Sequence, residues 1–255
     1  MTFPMYEYTY EPAELIEAYR EAASWYVAFV NLLVDGIILK HEALTKNYNY
    51  TDYAGRIDVL LHAVYVISTI LNVHGQKTTF PRDITCDEFI KLTHDERFEL
   101  LGLPRYQLNV DRSVHNDLRL NVWGPKAWRF LHLSSLMVYR TSDDLLRHFA
   151  AFMANFDMVI ICGNCQANYQ AKRPLENVVL PIMITRDPIY VIYTLHNMVS
   201  AYKNLQYAPN IPISSFVNGI QVNEQNKGIS PFEDFCTLYN LKCRKINNIT
   251  YNVKI

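Results

Sequence analysis

Apolar residues recur at three- and four-residue steps along most of the chain, which predicts helix after helix. The first begins at Pro12, a favourable first helical position, and carries Leu15, Ala18, Tyr19, Ala22, Tyr26, Phe29 and Leu33 on one stripe. Asp35-Gly36 is expected to break it. A second helix, from about Asp52 to Asn72, is apolar almost all round and so expected to be buried. A third opens on the capping-box pattern Thr85-Cys86-Asp87-Glu88 and carries Phe89, Leu92 and Phe98.

The stretch 103–122 is polar, with Pro104, Asn109, Asp111, Arg112 and Asn116, and reads as a boundary. Beyond it four helical patterns follow. One runs from Gly124-Pro125 to about Tyr139. The next is capped by Ser142 and carries Leu145, Leu146, Phe149, Phe152, Met153 and Phe156. A short one starts at Cys162, and the last begins at Asp187-Pro188 and continues through Leu195 and Val199 to about Asn204. The segment 178–184 is apolar but holds Pro181 and reads as a packed connector. A Pro/Asn-rich connection, 207–229, leads to a final short helix signalled by the capping box Ser230-Pro231-Phe232-Glu233. Convincing strand alternation is rare. The expectation is an all-α protein of three parts, 1–115, 116–206 and 207–255.

Composition narrows the function classes. With 255 residues, half of them hydrophobic, the chain can bury a sizeable core. A net charge of -1, from 24 basic and 25 acidic residues, gives no electrostatic reason to expect a nucleic-acid or anionic-membrane partner. The start has no basic or apolar leader pattern. The apolar runs 25–39 and 57–73 are interrupted by polar residues and fall short of the ~20 needed to span a bilayer. The expectation is therefore a soluble, intracellular protein.

Three sets of residues could carry chemistry. Cys162-Gly163-Asn164-Cys165 puts two thiols in the first turn of a helix, where free N–H groups favour a thiolate. The alternatives for the pair alone are two buried structural cysteines or half a zinc site, though an intracellular CxxC is more often redox-active or metal-binding than structural. Cys236 and Cys243 are spaced too widely for the usual zinc pair, and Cys86 reads as a small buried hydrophobe. The second set runs from Trp123 to His132. Trp128 and His132 are four apart and share a helix face, making a platform for a flat heteroaromatic ring. Taken alone, an aromatic pair on an apolar helix is more often core. The third is His196-Asn197-Met198-Val199-Ser200, with Lys203 beyond. His196, Ser200 and Lys203 lie on one face, and these side chains suit a base, a hydrogen-bonding edge and a phosphate.

In this order the three sets, WGPKAW-x3-H, CGNC and HN-x-V, resemble the FAD-binding domain of the Erv/ALR-type sulfhydryl oxidases, over about 80 residues from Trp123 to Asn204. A helical region preceding that domain resembles the viral branch found in baculoviruses and nudivirus-type relatives. The resemblance implies a four-helix bundle that holds FAD beside the dithiol. It implies Cys162 and Cys165 as the catalytic pair, and Trp123, Trp128, His132, His196, Asn197, Val199, Ser200 and Lys203 as cofactor-binding residues, with no metal. The activity implied is oxidation of protein dithiols, with electrons passed through the CxxC and flavin to O₂ to give H₂O₂.

A homodimer in the host cytoplasm, nucleus or virion goes with that branch. Ser200 departs from the family's Asn and is shorter, so a cofactor contact there is lost or bridged by water. The family's second CxxC is absent; Cys236 and Cys243 could act as a shuttle or as a structural disulfide. The rival readings are a non-enzymatic zinc-binding module and a structural virion protein.

Overall fold

The structure, a computed structural model, describes residues 2–44, 51–110, 117–160, 163–207 and 231–250. It is mostly helical. The helices are α1 (Pro12–Leu44), α2 (Thr51–Val73), α3 (Cys86–Lys91), α4 (His94–Leu101), α5 (Leu120–Val138), α6 (Asp143–Ala154), α7 (Gly163–Ala171), α8 (Leu180–Thr185), α9 (Pro188–Tyr207) and α10 (Phe232–Leu238). Two strands, β1 (Thr2–Thr9) and β2 (Lys242–Thr250), pair antiparallel and bring distant parts of the chain together.

Local chemistry explains most of the boundaries. Thr85 and Thr93 each close a capping box with a glutamate three residues on, starting α3 and α4. Ser142 Oγ accepts from the N–H of Leu145 at 3.2 Å, and Asp187 Oδ1 from that of Tyr190 at 2.9 Å, capping α6 and α9.

Several expectations are corrected. Asp35-Gly36 does not end α1. One helical Gly costs only about 1 kcal/mol, and the run 22–31 before it is buried throughout. The third helix is two, divided at Leu92, because the Thr93 box restarts the chain. Helix α5 begins at Leu120, so Gly124-Pro125 lies inside it; Pro125 removes one backbone bond while the buried Trp123 and Ala127 hold the turn. The segment 178–184 is helical, a π-helical turn over Leu175–Val179 running into α8, with Pro181 in the first turn, where its missing N–H is harmless. Pro231 is the N-cap of α10 and makes no side-chain cap; Ser230 lies outside the described residues. Cys86 is free and only half-buried. The window Gly55–Val73 of α2 is, by length and composition, apolar enough to cross a membrane, and 56% of it is buried inside the fold.

One hydrophobic core runs through both helical segments. Helix α1 lies along α5, with Tyr26 stacked on Phe130 at 4.1 Å and 6° between ring planes. Such aromatic pairs contribute about 0.5–1.5 kcal/mol beyond area burial. Helix α5 also packs on α9, and α2 on α6. Helices α1, α5, α7, α9 and α10 line one cavity.

Candidate functional site

The cavity has a volume of about 1490 Å³. Pockets for drug-sized ligands run to about 300–1,000 Å³, so this one has room for an elongated ligand. Trp123, Trp128 and His132 line it from α5; His196, Asn197, Val199 and Ser200 line it from α9; Cys165 lines it from α7. Residues read from three separated stretches of sequence therefore meet at one site. Lys203 is carried by α9, with its side chain outside the description, and Cys162 lies outside the described residues.

Helical spacing places the aromatic groups. Trp128 and His132 sit one turn apart on α5, with ring centroids 5.9 Å apart. Facing them across the α5–α9 contact, the His196 ring stacks on Trp128 at 4.1 Å with 12° between planes. His132 Nε2 and His196 Nδ1 are 2.9 Å apart and share one hydrogen bond; either nitrogen can be the donor. His132 is 5% exposed. Desolvation first, and the neighbouring His196 second, push its pKa down to about 3, so it is a neutral imidazole. Its Nδ1 is buried with no hydrogen-bond partner, and neither has Oδ1 of Asn168, another cavity residue.

Cys165 is held by its surroundings. A 3-10 turn, Phe156–Val159, leads towards it, and Phe156 and Ile160 form part of the cavity wall. Gln166 Nε2 donates to the Ile160 carbonyl at 2.5 Å, and Gln170 Nε2 to Asp157 Oδ2 at 2.8 Å. The Tyr169 hydroxyl donates to the Met153 carbonyl, tying α7 to α6. Cys165 is the third residue of α7, packs against the core and is disulfide-bonded. A thiolate released there would lie in the helix's first turn, where unpaired N–H groups favour negative charge.

Three parts of the wall have no counterpart in the sequence-derived site. Tyr193 lines the cavity one turn before Asn197 on α9, and burial pushes its pKa up to about 12 against a hydrogen bond with Asn197. Asn168 stands one turn after Cys165. Phe235 and Tyr239 come from the far end of the chain, with centroids 5.0 and 6.1 Å from that of His132. Their signal was the spacing Phe232, Phe235, Tyr239, an apolar helix face with no assigned partner. Cys236 and Cys243 are joined by a disulfide, Cα–Cα 6.4 Å. Among the described residues no group of three or more His, Cys, Asp or Glu could hold a metal ion.

No protein-family model, no curated protein and no solved structure matches this chain. The reading of the site rests on its geometry and on the motif resemblance.

Proposed function

We propose that the chain is an FAD-dependent sulfhydryl oxidase whose working dithiol is Cys162-Cys165. The observation that carries the reading is the convergence of the Trp128–His196 stack, neutral His132, Asn197 and disulfide-bonded Cys165 on one large cavity. The residues present suit a flavin: flat aromatic walls, a buried imidazole with an unpartnered nitrogen, and amide side chains at the edge. On this reading Trp123, Trp128, His132, His196 and Val199 pack around the cofactor. Asn197 hydrogen-bonds it, Ser200 supplies a shorter polar contact, and Lys203 meets a phosphate. These helices form the cofactor-binding bundle.

The chain's own chemistry is thiol exchange. A substrate thiolate attacks Sγ of Cys162, the Cys162–Cys165 bond breaks, and Cys165 leaves as a thiolate in the first turn of α7. The substrate's second thiolate then attacks the mixed disulfide and departs oxidised, leaving the pair with two electrons. FAD, when bound, supplies the two-electron acceptor that hands the pair to O₂ as H₂O₂. Cys165 faces the cavity that would hold the acceptor, which fits the inner position of the pair. The protein partners are dithiol substrates.

The test is direct. The purified protein is expected to be yellow, with one FAD per chain, and to oxidise dithiothreitol with H₂O₂ release. Cys165→Ser should keep the flavin and lose turnover. Full turnover by that variant would overturn the assignment of the dithiol. A colourless wild type containing zinc would favour the zinc-binding module, and one with neither cofactor the structural protein.

A further inference from the structure

Helix α10 reaches the cavity from the other end of the chain, across the connection 207–229. Phe235, 5% exposed, and Tyr239 rest against His132, and both line the cavity together with Trp128 and His196. A seven-residue helix has little hold of its own, since isolated helices below about 12–15 residues are marginal. Two attachments fix it. One is apolar: Phe232 packs against Tyr6, Tyr190 and Tyr193 at 4.6, 5.0 and 4.8 Å. The other is covalent: Cys236, beside Phe235, is bonded to Cys243 of β2.

The covalent attachment leads back to the cavity. Cys243 stands opposite Tyr8 in the β1–β2 ladder. The Tyr8 hydroxyl donates to Asp187 Oδ2 at 2.6 Å, and Asp187 caps α9, which carries His196 and Asn197. Two adjoining walls, α9 and α10, are thus referenced to one strand pair.

We infer that Phe235 and Tyr239 are positioning residues for the cavity's planar cofactor, and that the Cys236–Cys243 disulfide is the fastening that holds their helix against it. The identity of the occupant rests on the flavin reading; the fastening does not. The disulfide in this role is no electron shuttle. Its oxidation state sets how tightly the cofactor is kept.

The experiment compares wild type, Cys236→Ser/Cys243→Ser and Phe235→Leu. In the serine pair, amide exchange over Phe232–Leu238 should accelerate while α5 stays protected, and bound flavin should dissociate at least about tenfold faster. Turnover per bound flavin should be unchanged. Phe235→Leu, which keeps apolar bulk, should shift the bound flavin's visible absorption as well as weaken its retention. Unchanged exchange and retention in the serine pair would overturn the fastening role. Unchanged retention with lost oxidation of a protein dithiol would show a shuttle instead. Phe235→Leu with wild-type spectrum and retention would overturn the positioning role. A wild type without flavin, whose serine pair still shows accelerated exchange in α10, would keep the fastening and sink both the flavin reading and the positioning role.

Discussion

His132 sits 5% exposed against His196 and Phe235, and its burial has a consequence for stability. Its pKa is pushed down to about 3 from an ordinary 6.5. Between those values the unfolded chain holds a proton that the folded chain does not. Stability is therefore fully present above about pH 6.5 and falls as pH drops towards 3. Asp187 works the other way. Burial outweighs its hydrogen bonds from the backbone and from Tyr8, and pushes its pKa up to about 6 from 3.8. Across that window the folded state holds the extra proton, so acidification favours folding. His132 has the larger displacement and should dominate. Urea unfolding of the cofactor-free protein should show wild type losing stability from pH 7 to pH 4. His132→Gln should lose clearly less, and Asp187→Asn somewhat more. Equal acid dependence in wild type and His132→Gln would show that the imidazole is not held neutral.

At the scale of elements, chain reversals depend on two left-handed glycines that differ in surroundings. Gly102 ends α4 at φ +62°, its N–H bonded to the Phe98 and Glu99 carbonyls. A Cβ there would stand 2.8 Å from the Lys77 carbonyl oxygen, a backbone atom. Gly75 has φ +78° and open space around it. Gly75→Ala should cost about 1–2 kcal/mol for the left-handed conformation alone, and Gly102→Ala that amount plus the displacement of the Lys77 backbone. Equal shifts in denaturation midpoint would mean that the segment at Lys77 gives way freely. These local rules are also what made the elements readable. The capping oxygens of Thr85, Ser142 and Asp187 are visible in sequence because cap and helix adjoin. The Thr93 box lay inside an apolar pattern that continued across it. The strands were not visible, because the register shift between Met5 and Tyr6 leaves Ile246 as an extra residue in β2, and nearly all of β2 is exposed. The site divides likewise: helical spacing put Trp128 with His132 and His196 with Ser200. Phe235 and Tyr239 reach them only through a contact some hundred residues long in sequence, which no local pattern encodes.

Across the whole molecule, the β1–β2 pair decides whether the candidate site is one cooperative structure or a helical body with a loose cover. An isolated two-stranded ribbon is at best marginally stable, so this one must draw its stability from what it packs against. Tyr8 is the main link, 3% exposed, edge-on to Tyr139 at 4.9 Å and donating to buried Asp187. Losing that donor leaves a buried carboxylate with one partner fewer, a cost of about 1–3 kcal/mol. If strands and helices unfold together, Tyr8→Phe should lower the global unfolding free energy by that amount, seen as faster exchange of the slowest amides in α5. It should also raise the Asp187 pKa further, since the Tyr8 hydroxyl favours the charged form. If the ribbon instead frays by itself, only β1 and β2 amides should exchange faster, and the unfolding midpoint should stay put. The first outcome makes the tyrosine strand part of the frame on which α9 and α10 meet in the cavity wall. The second would leave α10 held by Phe232 on Tyr190 and Tyr193 and by Phe235 and Tyr239 on His132.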